Sequence, residues 1–353
     1  MSKKINVGLV GYGMAGQVFH GPFITNVTGL FLKTIRETRP EKIRLANSRY
    51  PHATIVKETT AILADKEIDL VVLATPNHTH YLLAKEALLA GKHVLVDKPF
   101  TTTSAEADEL IELANKKGRL LSIFQNRRWD SDFQTIKKVL SSGLLGNLVE
   151  YEARFDRFRN FLKENTWKEE DLPGSGILYD LGSHLIDQAL CLFGAPEEVM
   201  GDLRIQRSGS SIIDNFEVVL HYEKLKVILK ASMLVKEPTP RYRLLGDQGS
   251  FVKYGIDVQE EALKKGLTPA DVADWGLEPQ NIWGDINADL QGLQVTGKVK
   301  SEKGDYTGLY HNLYKAILGE EELFVKPEQA RNTIRVIELA MQSNDEKRRV
   351  KYY

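Results

Sequence analysis

The first 16 residues contain the pattern that most limits the folds open to this chain. An apolar run from Ile5 to Val10 leads directly into GYGMAG, residues 11–16. In a G-x-G-x-x-G after a strand, the glycines permit a tight turn, let the backbone approach a pyrophosphate and allow close helix packing. The helix start then attracts the diphosphate. A plain strand–turn–helix would also use glycine here, but the position favours a dinucleotide site. The residues predicted to bind the cofactor in this loop are Gly11, Tyr12, Gly13 and Met14.

Length and charge narrow the class of protein. The 353 residues are enough for two domains. A formal net charge of −1 gives no reason to expect a nucleic-acid partner or an anionic membrane surface. No apolar run approaches the roughly 18 residues of a membrane helix, and the start MSKK leads into a strand rather than a signal-peptide core. The single cysteine, Cys191, excludes an intramolecular disulfide. We therefore expect a cytoplasmic protein.

Strand and helix patterns alternate over residues 1–124. Ile68–Ala74 is a nearly continuous apolar run, typical of a parallel strand that is covered on both faces. Helical spacing follows in Tyr81–Ala90 and in Ser104–Lys117, with Ser104 as the expected N-cap. Strands separated by helices form right-handed βαβ units. The pattern predicts an α/β fold whose N-terminal domain, residues 1–124, is a Rossmann doubly wound parallel sheet.

The pattern changes over residues 125–353, which we assign to a second, α+β domain. Clustered strands without intervening helices indicate a mainly antiparallel sheet, and Gly246–Gly249 is the expected turn of a hairpin. A helix is predicted over Leu178–Phe193, and residues 255–305 are expected to be a long irregular excursion. The last predicted helix, residues 327–343, could pack back on the first domain. The predicted strands are Leu148–Phe155, Phe216–Tyr222, Lys226–Val235, Tyr242–Leu245 and Phe251–Tyr254.

The ribose of a dinucleotide is expected about 20 residues after the glycines, at the end of the second strand. If that strand ends at Glu37, the carboxylate would accept the 2′-hydroxyl of NAD. If it ends at Thr38 and Arg39, a hydroxyl and a guanidinium would hold the 2′-phosphate of NADP. A solvated charged loop is the alternative to both. Because Arg36 and Arg39 bracket the tip, we favour NADP.

Two further segments follow predicted strands at the sheet edge where doubly wound folds bind ligands. The first, TPNHTH at residues 75–80, contains two histidines without a Cys, Asp or Glu at ligand spacing, so no metal site is predicted. His78 or His80 is expected to cap or pack on the next helix. In the second, DKP at residues 97–99, the proline holds Lys98 in extended geometry, and its ammonium could stabilise an alkoxide.

The second domain contains GSGILYDLGSH, residues 174–184. Asp180 and His184 are spaced i, i+4 and would share one helix face. Histidine is suited to exchange a proton near neutral pH, and a neighbouring carboxylate would orient it. A structural Asp–His pair is the alternative. Because Gly182 is costly inside a helix, the cofactor or an opposing strand is expected to approach it closely.

These segments together resemble the Gfo/Idh/MocA oxidoreductases over nearly the whole chain. GLVGYGMAG is similar to the cofactor loop of that family, ATPNHTH to its second cofactor segment, VDKP to its E-K-P motif and GSGILYDLGSHLID to its G-G-x-x-x-D-x-G-x-H-x-x-D signature. The sequences FQNRRWD, LYDLGSHLIDQAL and FVKYGIDVQEE resemble the NADP-dependent scyllo-inositol dehydrogenase branch. Two departures are Asp97, where most members have Glu, and Ser175, which replaces a glycine.

The resemblance implies an NAD(P)-dependent dehydrogenase that moves a hydride between nicotinamide and a secondary alcohol of a cyclic polyol or sugar. In that reaction His184 would be the acid/base group, Asp180 would orient it and Lys98 would stabilise the substrate oxygen. The family's open, mainly antiparallel sheet implies a homodimer or homotetramer. Another sugar dehydrogenase or reductase, or a non-catalytic dinucleotide sensor, is the alternative.

The resemblance also assigns residues to the two ligands. The implied cofactor contacts beyond the glycine loop are Thr38, Arg39, Thr75, Pro76, Asn77, His80, Asp97 and Lys98. Polar and aromatic side chains bind polyol hydroxyls and C–H faces, and each such candidate has a structural alternative. The candidate substrate contacts are Asn126, Arg128, Arg157, Trp167 and Tyr306.

Overall fold

A computed structural model describes residues 3–164 and 166–353 of the chain. The chain divides into two compact units. Unit 1 comprises the described residues of Met1–Asn126, Gln259–Trp275 and Asp305–Arg331. Unit 2 comprises those of Arg127–Val258, Gly276–Gly304 and Asn332–Tyr353.

The sheet of unit 1 has six parallel strands in the order β3-β2-β1-β4-β5-β6. This is the strand order of doubly wound dinucleotide-binding folds, and it confirms the predicted parallel sheet. The strands are β1 (Ile5–Val10), β2 (Leu30–Arg36), β3 (Thr54–Val56), β4 (Leu70–Leu73), β5 (His93–Val96) and β6 (Leu121–Ile123). The helices between them are α1 (Gly21–Asn26), α2 (Pro40–Arg49), α3 (Thr59–Ala64), α4 (His80–Leu89) and α5 (Ser104–Lys117).

Local sequence explains these elements well. All four residues of β4 are buried, as expected of a central strand covered on both faces. The predicted N-cap of α5 is wrong by one residue. Thr103 is the cap, and it exchanges hydrogen bonds with Glu106 in a capping box, which satisfies two backbone donors that the helix leaves open.

The sheet of unit 2 has nine strands in the order β14-β13-β12-β11-β7-β10-β9-β8-β15. Its pairs are antiparallel except β7 with β10, which run parallel, so the prediction of a mainly antiparallel sheet is confirmed. The strands are β7 (Leu148–Arg154), β8 (Glu198–Arg204), β9 (Asn215–His221), β10 (Lys226–Ser232), β11 (Tyr242–Gly246), β12 (Gly249–Lys253), β13 (Gly284–Leu290), β14 (Leu293–Val299) and β15 (Val350–Lys351). The remaining helices are α6 (Ser131–Ser141), α7 (Ser183–Phe193), α8 (Gln259–Lys264), α9 (Thr307–Leu318) and α10 (Pro327–Glu346).

The expectation of an irregular excursion over residues 255–305 is wrong. This segment contains α8 and the hairpin of β13 and β14. The turn between them is Gln291-Gly292, in which both residues have positive φ (52° and 84°), the geometry that suits two-residue hairpins. Apolar residues alternate along both strands, so the signal was present in the sequence.

Two segments from later in the chain, Gln259–Trp275 and Asp305–Arg331, belong to unit 1. The single domain boundary predicted at residues 124–125 does not include them in the first domain. Aromatic packing explains the second of them. The rings of Tyr306 and Tyr310 lie 6.1 and 6.3 Å from that of Phe23, and Tyr310 also lies 5.9 Å from Phe124. The first turn of α10 also belongs to unit 1, where Arg331 donates to Asp108 of α5 at 2.8 Å.

Short turns of other helical types complete the description. Turns of 3-10 helix cover Asn77–Thr79, Asn126–Trp129, Trp167–Glu169 and Gln280–Ile282, and π-helical turns cover Gly16–His20 and Leu178–Gly182. None of the helices in the described ranges has the length and apolar character needed to cross a membrane.

Candidate active site

The glycine loop of unit 1 has the shape that a pyrophosphate requires. Gly11 has φ +98°, and a Cβ there would lie 2.5 Å from the carbonyl oxygen of Ala74. A Cβ on Gly16 would overlap the carbonyl oxygen of Gly11, so the following helical turn packs directly on the loop. A Cβ on Gly13 would meet only Arg39, at 3.7 Å. The backbone at Gly13 is thus open to a diphosphate, and the loop fits a dinucleotide.

Tyr12 and Met14 differ in what they can offer a cofactor. The side chain of Tyr12 is fully buried, with its ring edge-on to Tyr50 at 6.2 Å, and burial raises the pKa of its hydroxyl. The side chain of Met14 is 53% exposed. A bound cofactor could therefore contact the side chain of Met14, whereas it would contact Tyr12 through the main chain.

At the end of β2, Glu37 and Arg39 form a tight ion pair. Arg39 donates from Nε to Oε1 at 3.0 Å and from Nη2 to Oε2 at 2.7 Å. The backbone N–H groups of Thr38 and Arg39 also donate to Oε1, at 2.8 and 3.0 Å. Burial would raise the pKa of Glu37, but these hydrogen bonds dominate and lower it to about 2. The carboxylate is ionised and fully engaged.

His80 joins the two other loops at this edge of the sheet. It begins α4 and is fully buried. Its Nδ1 lies 2.8 Å from the carbonyl oxygen of Pro99, and its Nε2 lies 3.0 Å from that of Thr75. Burial lowers the pKa of the ring, and the charge of Asp97 opposes this. His80 thus packs against the loops after β4 and β5, and the N-cap of α4 is Thr79 rather than His80.

Within the first of these loops, Thr79 donates to the side chain of Thr75 and to the carbonyl of Pro76, both at 2.7 Å. Asn77 is buried, with 9% of its surface exposed. These contacts fix the loop's backbone at the carboxyl end of β4. Cofactor contacts by Thr75, Pro76, Asn77 and His80 stay a prediction.

Lys98 lies two residues after the end of β5 and is partly exposed. Its backbone N–H donates to Oδ1 of Asp97 at 2.7 Å. The other carboxylate oxygen, Oδ2, lies 3.7 Å from Nε2 of the buried His20. Burial would raise the pKa of Asp97, but His20, Lys98 and His80 together lower it. An ionised carboxylate therefore adjoins the proposed catalytic lysine.

His20 is a residue that sequence reasoning missed. It ends the π-helical turn after the glycine loop, a geometry often found at functional sites. Its partner Tyr310 is 290 residues away in sequence, with the hydroxyl 2.7 Å from Nδ1. The position of an apolar-flanked histidine soon after the glycines was the only available signal.

In unit 2, Asp180 and His184 do not share one regular helix as predicted. Asp180 lies in the π-helical turn Leu178–Gly182, and His184 is the second residue of α7. His184 is 4% exposed, whereas the side chain of Asp180 is 31% exposed. Lys168 approaches Oδ1 of Asp180 at 3.4 Å. A nearly buried imidazole thus follows directly on an irregular turn that carries a carboxylate.

The glycines of this segment are explained by an opposing strand region. A Cβ on Gly176 would lie 2.9 Å from the carbonyl oxygen of Ile213. A Cβ on Gly182 would lie 3.3 Å from the ring of Phe216 in β9. Of the two expectations for this close approach, the opposing strand is therefore observed.

Three candidate substrate contacts are buried in the described structure. Arg128 binds Asp187 through two parallel hydrogen bonds of 2.8 and 2.7 Å, and both side chains are 2% exposed. Tyr306 is fully buried and lies 6.1 Å from Phe23, as in its alternative role as a core tyrosine. Asn126 is 4% exposed. A substrate role for these residues stays a prediction, and their geometry favours the structural alternative.

Arg157 and Trp167 are more accessible. Arg157 is partly exposed, with its guanidinium carbon 5.3 Å from the centre of the Phe155 ring. Trp167 begins the short turn Trp167–Glu169 and is also partly exposed. The turn is anchored by a buried arginine that sequence reasoning missed: Arg207 donates to Glu169 at 2.8 Å and to Asp214 at 3.0 Å.

The described residues include no group of three or more His, Cys, Asp or Glu side chains that could hold a metal ion.

Comparison with known proteins identifies the class. The family pattern described as "Oxidoreductase family, NAD-binding Rossmann fold" matches residues 5–125, and the one described as "Oxidoreductase family, C-terminal alpha/beta domain" matches residues 137–352. The chain belongs to the Gfo/Idh/MocA oxidoreductase family. Its N-terminal part is an NAD-binding Rossmann domain, and the predicted resemblance is confirmed.

Particular relatives cover almost the whole chain. It is 42% identical over 349 residues to "Uncharacterized oxidoreductase YdgJ" of Escherichia coli (strain K12), and the alignment covers 97% of each protein. It is 38% identical over 346 residues to "scyllo-inositol 2-dehydrogenase (NADP(+)) IolW" of Bacillus subtilis (strain 168), covering 98% of this chain and 95% of IolW. The solved structure of yvaA from Bacillus subtilis superimposes with a TM-score of 0.95, at 38% identity over 99% of each chain. These relatives agree with a dehydrogenase.

Proposed function

We propose that this protein catalyses reversible hydride transfer between NADP and a secondary alcohol of a cyclic polyol, with scyllo-inositol as the leading substrate. The observation that carries the proposal is His184, a histidine that is 4% exposed and follows the π-helical turn bearing Asp180. Such a group in an oxidoreductase with a dinucleotide loop is suited to move the hydroxyl proton that accompanies hydride transfer.

Each residue has one task in this reaction. His184 accepts the proton of the substrate hydroxyl during oxidation and returns it during reduction. Asp180 orients His184 and stabilises its charged form. Lys98 stabilises the negative charge that develops on the substrate oxygen. NADP, when bound, supplies the hydride chemistry, while the protein supplies position and charge.

The preference for NADP is supported by Arg39. Glu37 occupies Nε and one hydrogen of Nη2, so the outer edge of the guanidinium retains the fork that suits a phosphate. The side chain is 51% exposed, and it lies next to Gly13 of the cofactor loop. Because both oxygens of Glu37 are engaged, the 2′-hydroxyl of NAD would have to displace Arg39 to reach them.

The substrate assignment is supported by the relative IolW, whose name states scyllo-inositol and NADP(+). Arg157 and Trp167 are the candidate contacts with exposed surface, so we place them first for binding ring hydroxyls and C–H faces. Another sugar or polyol of similar size is the second candidate, because this fold accommodates many such substrates.

The open sheet of unit 2 is part of the same proposal as a self-association surface. We expect a homodimer or homotetramer built through it, as in the family that the chain belongs to. Mass photometry at nanomolar concentration would give a mass two or four times that of the 39.9 kDa chain. A purely monomeric protein across the concentration range would contradict this part.

A spectrophotometric screen at 340 nm tests the function. NAD and NADP are each paired with inositol isomers, common aldoses and 2-keto-inositol, and His184→Ala is the matched blank. We expect NADP-dependent turnover of a cyclic polyol. Dinucleotide binding without turnover of any substrate would support the sensor alternative. A tightly bound cofactor that co-purifies and gives no net NADPH would indicate an enzyme that oxidises its substrate transiently.

A further inference from the structure

Glu37 stands where dinucleotide-binding folds commonly carry a ribose-reading carboxylate. It is the residue directly after β2, about 20 residues beyond the glycine loop, and in NAD-dependent members of this architecture an acid at that point accepts the ribose 2′-hydroxyl. Its side chain is 3% exposed. By position, this chain carries a determinant for NAD, although its neighbour Arg39 is a determinant for NADP.

The two determinants are bound to each other. Oxygen Oε1 of Glu37 accepts from Nε of Arg39 at 3.0 Å, and Oε2 accepts from Nη2 at 2.7 Å. Oε1 also accepts the backbone N–H groups of Thr38 and Arg39, at 2.8 and 3.0 Å. The two backbone bonds hold the carboxylate in place independently of the Arg39 side chain. Removing that side chain would therefore uncover Oε2 without releasing Glu37.

The position of Arg39 connects this pair to the cofactor loop. One terminal nitrogen, Nη2, lies 3.7 Å from where a Cβ on Gly13 would be. Of the five N–H donors of an arginine side chain, Glu37 accepts two on the Nε side. The donors on the opposite edge remain for a phosphate. The outer edge of the Arg39 guanidinium thus presents positive charge, and its inner edge covers Oε2 of Glu37.

We propose that Glu37 is a masked NAD determinant: Arg39 covers its carboxylate, so that the pair selects NADP, and loss of Arg39 exposes Glu37 to the 2′-hydroxyl of NAD. This inference rests on the proposed binding of a dinucleotide at the glycine loop. It makes Glu37 both the positioning residue for Arg39 in the native protein and a cofactor-binding residue in its absence.

Calorimetric titration of NADP and NAD into the purified protein tests the inference without any substrate. Arg39→Ala should weaken NADP binding by roughly tenfold or more, because charge-assisted hydrogen bonds to the phosphate are lost. The same variant should bind NAD at least about threefold more tightly than the wild type. The double variant Arg39→Ala/Glu37→Gln should lose that gain, since the amide no longer offers an ionised acceptor.

Two further variants keep the result interpretable. Arg39→Met retains the aliphatic stem and serves if Arg39→Ala unfolds. Arg44→Ala is the matched control: Arg44 is an exposed arginine on α2 and is not among the proposed cofactor contacts. It should leave the ratio of the two dissociation constants unchanged.

The outcomes separate this inference from the proposed function. If the wild type prefers NADP but neither Arg39 variant gains affinity for NAD, or if the double variant keeps the gain, the masking role of Glu37 is wrong and the proposed function stands. A wild-type protein that binds neither dinucleotide contradicts both. A gain for NAD that depends on Glu37 establishes the mask.

Discussion

The hydroxyl of Tyr310 lies 2.7 Å from Nδ1 of His20 inside unit 1. Burial holds the pKa of Tyr310 well above its ordinary value, so its hydroxyl stays protonated and forms a hydrogen bond with Nδ1. The other ring nitrogen, Nε2, lies 3.7 Å from Oδ2 of Asp97. Asp97 in turn accepts the backbone N–H of Lys98. These contacts therefore connect Tyr310 on α9 to Lys98, the proposed catalytic lysine.

Tyr310→Phe should lower the free energy of unfolding by about 1–2 kcal/mol, because it leaves a buried ring nitrogen without its hydrogen-bond partner. Chemical denaturation measures this change. Tyr314→Phe on the same helix is the matched control. The hydroxyl of Tyr314 donates to the carbonyl of Lys3 at 2.9 Å in a partly buried setting, so its loss should have a smaller effect. Equal effects of the two substitutions would contradict the account.

Asp187→Asn should destabilise the protein by roughly 3–5 kcal/mol, since it leaves the buried guanidinium of Arg128 without a countercharge. Arg128 and Asp187 are each 2% exposed. Asp202→Asn is the control, because the side chains of Arg204 and Asp202 are 60% and 46% exposed and their ion pair should contribute little. Thermal or urea unfolding compares the variants. A small effect of Asp187→Asn on the free energy of unfolding would indicate that water reaches Arg128, and it would contradict the prediction.

Glu37 should make the protein sensitive to acid. Its pKa is lowered from 4.5 to about 2: burial opposes the shift, and the Arg39 pairing and backbone hydrogen bonds cause it. A lowered folded-state pKa gives stability that is full above pH 4.5 and is lost as the pH falls towards 2. The difference in the free energy of unfolding between the wild type and Glu37→Gln should therefore decrease over that interval, by up to about 3 kcal/mol. If the free energies of unfolding of the two proteins run parallel from pH 6 to 2, folding does not lower the pKa of Glu37, and the prediction is contradicted.

His184→Ala should lower kcat by roughly 10²–10⁴-fold, the usual contribution of a positioned acid–base group. Affinity for NADP should remain close to that of the wild type, because His184 is not among the proposed cofactor contacts. His311→Ala, an exposed histidine on α9, is the control and should retain full activity. An unchanged kcat in His184→Ala would remove this residue from the mechanism.

The sequence predicts the parallel sheet of unit 1 well because its signals are local. Buried strands such as β4 are continuous apolar runs, and α5 begins with a capping box and ends at Gly118, which has a positive φ. The hairpin of β13 and β14 was missed although its alternation was visible, because β14 is almost entirely exposed and only Gly284 and Ala288 of β13 are buried.

The candidate site was only partly predictable because its remaining contacts join distant parts of the chain. Lys98, Asp180 and His184 lie in recognisable motifs. The pairing of His20 with Tyr310 spans 290 residues, and that of Arg128 with Asp187 spans 59. No local pattern specifies such partners. For the same reason, Glu37 and Arg39 could be read as alternatives in the sequence, whereas the structure shows them as one ion pair.

Isotope transfer tests the central claim most directly. The wild-type protein is incubated with NADP and scyllo-inositol that carries deuterium on its ring carbons, and the mass of the NADPH formed is measured. Direct hydride transfer from the carbinol carbon predicts NADPH that is one mass unit heavier, with His184→Ala forming it far more slowly. No NADPH, or NADPH without deuterium, would contradict the proposed reaction.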